Sequence, residues 1–336
     1  YLTVQSQVKI KLDGVAVAVG KTVLTEDMTR EAAYGIMSDR QIAEFEENME
    51  SDFAIAMPDG SARFRVNVFR DRKGIGAVFR IIPSKILTVD QLGLPEAVRG
   101  ITDYVRGLVL VTGPTGSGKS TTMAAIIDLI NDKHPKHIIT IEDPLEFVHP
   151  NKQCVFSQRE IGSHAKSFGK ALSVANRENP DVILVGEMRD LETISAALTC
   201  AELGILVFGT LHTNSAAKTI DRIINAFPAE EQAQTRTMLA DSLKAVIAQQ
   251  LLKTKDGKGR CAALEILFGS NALASIIREG KINQIESMIQ TGTSQGMQTM
   301  DQCLQKMIDE DKITVAAARE KAINKNLFPL PDTEDA

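Results

Sequence analysis

The stretch "RGLVLVTGPTGSGKSTTMAAIIDLIN", residues 106 to 131, constrains the fold more than any other part of the chain. An apolar run of strand length enters a glycine-rich loop, and the loop opens a segment with apolar residues at helical spacing. The loop satisfies G-x-x-x-x-G-K-[ST] through Gly113, Gly118, Lys119 and Ser120. Glycines there let backbone N–H groups turn inward around phosphates, and a lysine reaches the terminal phosphates. A serine hydroxyl in this position is placed to ligate Mg²⁺. The following helix adds the positive end of its dipole. Pro114, Thr115, Gly116, Ser117 and Thr121 complete the candidate phosphate-binding loop.

Three further apolar runs, "HIITIE", "DVILVGE" and "ILVFGTLH", alternate with helical segments. Strands alternating with helices predict an α/β fold with a parallel sheet covered on both faces. Each run ends in polar groups: Glu142, Asp143 and Glu146, then Glu187, then His212. In an open parallel sheet the ligand crevice lies outside the carboxyl ends of the strands. These groups are therefore expected around the terminal phosphate and its metal, which points to hydrolysis as well as binding. Glu187 reads as a Walker B acid acting on Mg²⁺ or its waters, with a solvated strand-end carboxylate as the alternative. Either Glu142 or Glu146 could orient an attacking water. His212 is read either as a phosphate sensor or as a satisfied buried histidine.

The N-terminal third has a different pattern. "VKIKLDGVAVAV" alternates around Asp13-Gly14, a hairpin signal, and residues 26 to 49 are charged and helix-like. "ARFRVNVF" and "GAVFRII" predict two more strands around the turn "RDRKGIG". The basic residues Arg63, Arg65, Arg70, Arg72, Lys73 and Arg80 concentrate there. They are open to three readings: a solvated edge, a nucleic-acid patch, or arginines reaching a nucleotide on a neighbouring subunit. Beyond Pro228 the chain is expected to be mainly helical, with Pro228 to Leu252 as one helical stretch, and the acidic tail "PLPDTEDA" is expected to be disordered.

Bulk properties narrow the class. With 336 residues, 43% hydrophobic and 24% charged, the chain is expected to form two domains with a substantial core. No apolar run approaches the roughly 20 residues that span a bilayer. No signal peptide is evident, and Tyr1 in place of Met implies that residues precede it. Cys154, Cys200, Cys261 and Cys303 form no C-x-x-C pair, which predicts neither a zinc element nor a disulfide framework and favours a reducing cytoplasm. A net charge of −5, 4% aromatics and no Trp disfavour a nucleic-acid motor, which would use stacking platforms. No N-K-x-D guanine-reading motif occurs.

Several blocks in order carry a resemblance: "ARFRVNVF", "AVFRIIPSKILT", "RGLVLVTGPTGSGKSTT", "ITIEDPLEFVH", "PDVILVGEMRDLET", "FGTLHTNSAAKTIDRIINAFPAEEQ" and "GMQTMDQCL". The chain resembles the PilT/PilU group of type IV pilus retraction ATPases, within the secretion-ATPase superfamily, from about Asp13 to Phe328. The resemblance implies a hexameric ring. Each subunit would carry a PAS-like α+β domain, residues 1–94, and a RecA-like P-loop ATPase domain, residues 95–336, with a helical C-terminal part. It further implies that Glu146 is the catalytic glutamate of the Asp box, Glu187 the Walker B acid and His212 the His-box histidine. Arg65 and Arg80 match N-terminal-domain arginines that approach the nucleotide. ATP and Mg²⁺ are the implied ligands, with Ser120 and Glu187 at the metal. The implied partners are an inner-membrane platform protein and a paralogous pilus ATPase, at the cytoplasmic face of the inner membrane, with no direct nucleic-acid contact. The alternative within the superfamily is an accessory pilus ATPase. The extension and secretion branch carries an extra N-terminal domain and a four-cysteine zinc element, neither of which this sequence shows. The sequence departs from the family pattern in four places. Ile205 replaces a second His-box histidine, Ser173 a common arginine, and Ala274 and Ser275 the earlier polar positions of the "AIRNLIRE" motif.

Overall fold

The computed structural model describes residues 1–12, 15–59, 62–82 and 85–330. The chain divides into two compact units, Tyr1–Lys85 with Pro144–Val148, and Ile86–Asp143 with His149–Ala336. The expected turn at Asp13-Gly14 and most of the expected disordered tail lie outside the described residues.

In the first unit, β1 (Gln7–Leu12) and β2 (Val15–Val23) form an antiparallel ribbon in which Ile10 faces Val17 and Leu12 faces Val15. Two helices follow, α1 (Glu26–Tyr34) and α2 (Asp39–Asn48), so the helix-like stretch is broken near Gly35. The second helix starts where Ser38 and Gln41 close a capping box, each satisfying the other's backbone N–H. Then β3 (Glu50–Ala56), β4 (Arg63–Asp71) and β5 (Gly74–Ile82) make an antiparallel sheet. Strand alternation sends Val66 and Val68 inward with Phe53, Ile75 and Ala77, where they pack against Ala33 and Phe45 of the helices.

The second unit is built on α3 (Glu96–Arg99), β6 (Gly107–Thr112), α4 (Lys119–Lys133), β7 (His137–Glu142), β8 (Val155–Glu160), α5 (Phe168–Ala175), β9 (Val182–Val185), α6 (Leu191–Glu202), β10 (Leu206–Leu211), α7 (Ala216–Ile224), α8 (Gln232–Ser242), β11 (Leu243–Lys253), β12 (Arg260–Phe268), α9 (Asn271–Arg278), α10 (Ile285–Thr291), α11 (Met300–Asp309) and α12 (Val315–Lys321). Seven strands form one sheet in the order β12-β11-β6-β10-β9-β7-β8. All neighbours run parallel except β12, which returns antiparallel along β11. This is the expected α/β architecture with a parallel core. Alternate residues of the central strands enter two separate apolar layers. Leu108, Leu110, Ile139, Ile183 and Val207 face one layer. Val109, Val111, Ile138, Leu184 and Phe208 face the other, together with Ile126, Ile127 and Ile130 of α4. With both faces covered, these strands read as continuous apolar runs instead of alternating ones.

The expected helix from Pro228 to Leu252 is corrected: it ends at Ser242, and Leu243–Lys253 is a strand. "LKAVIAQQLL" is buried between β6 and β12, so its apolar residues are spread over both faces and show no strand period. A short buried run of this kind cannot be told from a buried helix by periodicity alone.

His149 illustrates the density of this unit. Its ring stacks on Phe156 at 4.9 Å, and burial pushes its pKa down to about 4, with Asp128 opposing and Lys152 adding to the shift. The unfolded chain then binds a proton between pH 6.5 and pH 4 that the folded chain refuses, so folding stability falls as pH drops through that window. Urea unfolding of the wild type should lose about 3 kcal/mol between pH 7 and pH 4 that His149→Phe does not lose. Parallel pH profiles for the two proteins would remove this assignment.

Candidate nucleotide-binding site

The pairing of β6 with its neighbours ends at Thr112, which lies beside Leu211 and Ala248. The chain then turns sharply. Gly113 takes φ +146°, and a Cβ there would run into the backbone carbonyl of Gln249 and lie 2.6 Å from Ser117 Oγ. Gly118 takes φ +86° as the N-cap of α4, with Gln249 Nε2 only 2.9 Å from where a Cβ would sit. Neither the backbone conformation nor the space admits a side chain at these two positions. Gly118 cannot cap the helix with a side chain, so the first-turn N–H groups of the 15-residue α4 are presented to an anion. Lys119 is buried, and its Nζ donates to the carbonyls of Gly113 (2.9 Å) and Pro114 (3.1 Å). Ser117 Oγ is buried without a hydrogen-bond partner among the described residues. Ser120 and Thr121 occupy the first turn of α4.

Glu142 is the last residue of β7, and Glu187 and His212 follow the carboxyl ends of β9 and β10, the same end of the sheet as the loop. Glu187 joins two of the candidate groups. Its Oε1 lies 2.7 Å from His212 Nε2, and its Oε2 accepts from Arg189 at 2.6 Å. An ionised carboxylate only accepts, so the His212 proton resides on Nε2 in this pair. Burial raises the Glu187 pKa, but hydrogen bonds and charge from Arg189 and His212 outweigh it and hold the carboxyl below its ordinary value. The turn carrying Glu187 is pinned to the sheet: Gly186 N–H donates to Ile141 O at 2.8 Å and Met188 N–H to Thr210 O at 3.0 Å. On β10, Gly209 lets the Met188 side chain approach closely, since a Cβ there would lie 2.4 Å from the Met188 sulfur and force that side chain to move.

Sequence reasoning missed two buried polar residues beside this machinery. Gln249 of β11 donates through Nε2 to Ser117 O (2.7 Å) and accepts from Thr122 Oγ1 (2.7 Å). Glu265 of β12 accepts from the N–H of Ala216 at 2.7 Å, in the first turn of α7, just beyond His212. Burial raises the Glu265 pKa, opposed by backbone N–H groups of Ala216 and Met300. The only sequence signal for either was a polar residue inside an apolar strand. A hydroxyl chain also links the two loops, from Thr213 through Thr219 to Thr112.

The other predicted residues belong to the first unit. Arg65 and Arg80 are direct cross-strand partners on β4 and β5, a juxtaposition that the sequence did not reveal. Like charges facing each other repel, and Asp52 answers Arg65 with an ion pair at 2.6 Å. Glu146 lies in Pro144–Val148, the segment grouped with this unit. Of the departures, Ile205 is buried just before β10, seven residues from His212 at the opposite end of that strand. Ser173 is exposed on α5. Ala274 and Ser275 lie on α9, whose Arg278 pairs with Asp241.

A parallel sheet with a glycine loop and polar groups gathered at its carboxyl edge defines a P-loop α/β protein. The model of the family described as "Type II/IV secretion system protein" matches residues 3–326. The type IV pilus retraction ATPase PilT of Pseudomonas aeruginosa is 54% identical over 93% of this chain and 90% of its own length. The type IV pilus ATPase PilU of the same organism is 40% identical over 97% of this chain and 85% of its own. A crystal structure of the pilus retraction motor PilT with bound ADP superposes with a TM-score of 0.91 at 43% identity, covering 97% of this chain and 93% of that one. The chain belongs to the type II/IV secretion system protein family, in its PilT/PilU group of pilus ATPases.

Because the folded pKa of Glu187 is depressed, its contribution to stability is present above about pH 4.5 and is lost as pH falls through the folded value. Glu187→Gln should therefore lower unfolding stability at pH 7 by no more than about 1 kcal/mol, since both partners are well exposed. The difference from wild type should close as pH falls below the folded value of the Glu187 carboxyl. A difference that persists or widens there would contradict the ion-pair account.

Proposed function

We propose that this chain is the ATP-hydrolysing subunit of a hexameric motor that drives type IV pilus retraction. The observation carrying this reading is the phosphate loop at the carboxyl edge of a parallel sheet, beside the Glu187–His212 pair, in a chain 54% identical to PilT. In this reading the first unit is a PAS-like domain and the second a RecA-like ATPase domain.

ATP enters with its phosphates on the N–H groups of residues 113–121, and Lys119 exchanges the Gly113 and Pro114 carbonyls for phosphate oxygens. The orphaned Ser117 hydroxyl and the glycine cradle fit a phosphate ligand. The donor set also fits Mg²⁺, which is usually held by substrate phosphates, water and one or two protein oxygens rather than by a protein cage. Ser120 and Glu187 would supply those oxygens, and the described residues contain no cluster of three or more His, Cys, Asp or Glu able to hold a metal on their own. When bound, the ion would neutralise charge on the transferred phosphoryl. Glu146 orients the attacking water. His212, donating to Glu187, changes partner when the terminal phosphate is present and so reports its state. Arg65 and Arg80 act on the nucleotide of a neighbouring subunit.

Hydrolysis then drives motion between domains, which acts on an inner-membrane platform protein and, through it, on the pilus. No described helix is long and apolar enough to cross a membrane. In this reading the motor sits at the cytoplasmic face of the inner membrane, beside that partner. A paralogous pilus ATPase is a further partner of the same ring.

Phosphate release per subunit, measured against protein concentration, tests the reading. Specific activity should collapse on dilution as the ring dissociates, and Lys119→Ala should abolish it at every concentration. Glu146→Gln should lower kcat by about 100-fold or more while leaving ADP binding intact. Constant activity down to concentrations at which the protein is monomeric would overturn the arginine role in trans.

A further inference from the structure

The geometry points to Gln249 as the positioning residue that holds the phosphate loop in its binding curvature. This inference rests on the nucleotide-binding reading above and concerns the same site.

Gln249 meets the loop at both ends. The pairing of β11 with β6 stops at Ala248 beside Thr112, so Gln249 is the first residue of β11 to extend past β6, alongside the loop that β6 enters. Its backbone carbonyl lies against Gly113, where the loop leaves the strand, closely enough to exclude any Cβ. Its side-chain Nε2 donates to Ser117 O at 2.7 Å, where the loop enters α4, and lies beside Gly118. Its Oε1 accepts the Thr122 hydroxyl at 2.7 Å, in the first turn of that helix. One residue therefore spans the loop from strand exit to helix entrance.

The remaining chemistry supports a positioning role. Gln249 is 2% exposed, so its amide is fully desolvated, and leaving either end unpaired would be costly. On its far side it pairs with Leu264 of β12, which anchors it independently of the loop. A leucine here would leave the Ser117 carbonyl buried without this donor. The carbonyl would then have to rotate toward another partner, taking the adjoining N–H groups away from the phosphate position. Gln249 touches no phosphate in this scheme. It acts by keeping residues 113–118 in a conformation that Lys119 and the first turn of α4 can use.

The experiment is ADP and ATP binding by the full chain, with thermal unfolding of the same nucleotide-free samples. Gln249→Met keeps the volume and removes both hydrogen bonds. Gln249→Glu keeps the acceptor for Thr122 and, when its carboxyl is ionised, replaces the donor to Ser117 with a second acceptor. Thr122→Val removes one bond only and changes little volume, so it remains informative if either Gln249 variant fails to fold. Loss of both bonds should raise the Kd for ADP about tenfold or more, and Thr122→Val a few-fold. In ATP hydrolysis KM should rise in the same order while kcat at saturating ATP stays within about twofold. Unchanged Kd and KM in folded variants, with only a lowered melting temperature, would show Gln249 to be a core residue and overturn the assignment. Failure of wild-type protein to bind either nucleotide would instead overturn the nucleotide reading itself.

Discussion

Everything at the candidate site depends on burying a parallel sheet on both faces. The central strands β6, β7, β9 and β10 are almost wholly enclosed by two apolar layers. No polar side chain can sit on either face without losing water, so the chemistry is confined to the strand ends. At the carboxyl ends the strands stop, the chain turns, and Gly113, Glu142, Glu187 and His212 emerge at one edge. The fold itself gathers these residues, although they come from distant parts of the chain.

The polar edge is held by different means from the core. The Glu187 turn is pinned by backbone hydrogen bonds to Ile141 and Thr210, and its carboxylate is charge-compensated by Arg189 and His212. Lys119 is satisfied by loop carbonyls, so its ammonium is buried without being left unpaired. In the proposed binding step, exchange of those carbonyls for phosphate oxygens would replace one set of acceptors with a charged one, which would favour binding. Glu265 does comparable work behind the His212 loop, tying the first turn of α7 to β12.

How much was legible in the sequence follows from which signals are local. The phosphate loop, its flanking strand and helix, and the polar termini of three strands were readable because each depends on residues within a few positions. The α/β class followed from their alternation. Leu243–Lys253 was misread as helix because a strand buried on both sides has no period of its own. Gln249 and Glu265 were invisible for a related reason: a lone glutamine or glutamate in an apolar run acquires meaning only from the loop across from it. The facing of Arg65 and Arg80 required the β4–β5 register, which a turn of ordinary composition does not specify. The family resemblance implies roles for Glu146 and His212 that residue chemistry alone leaves open.

The central claim is that nucleotide phosphates bind at the carboxyl edge, on the loop between β6 and α4. Hydrogen–deuterium exchange of the intact chain with and without ADP tests it directly. The account predicts slowed exchange in peptides covering residues 113–121 and the first turn of α4, with a smaller change around Glu187 and His212. Protection confined to other segments, or no change at an ADP concentration shown to saturate the protein, would contradict it.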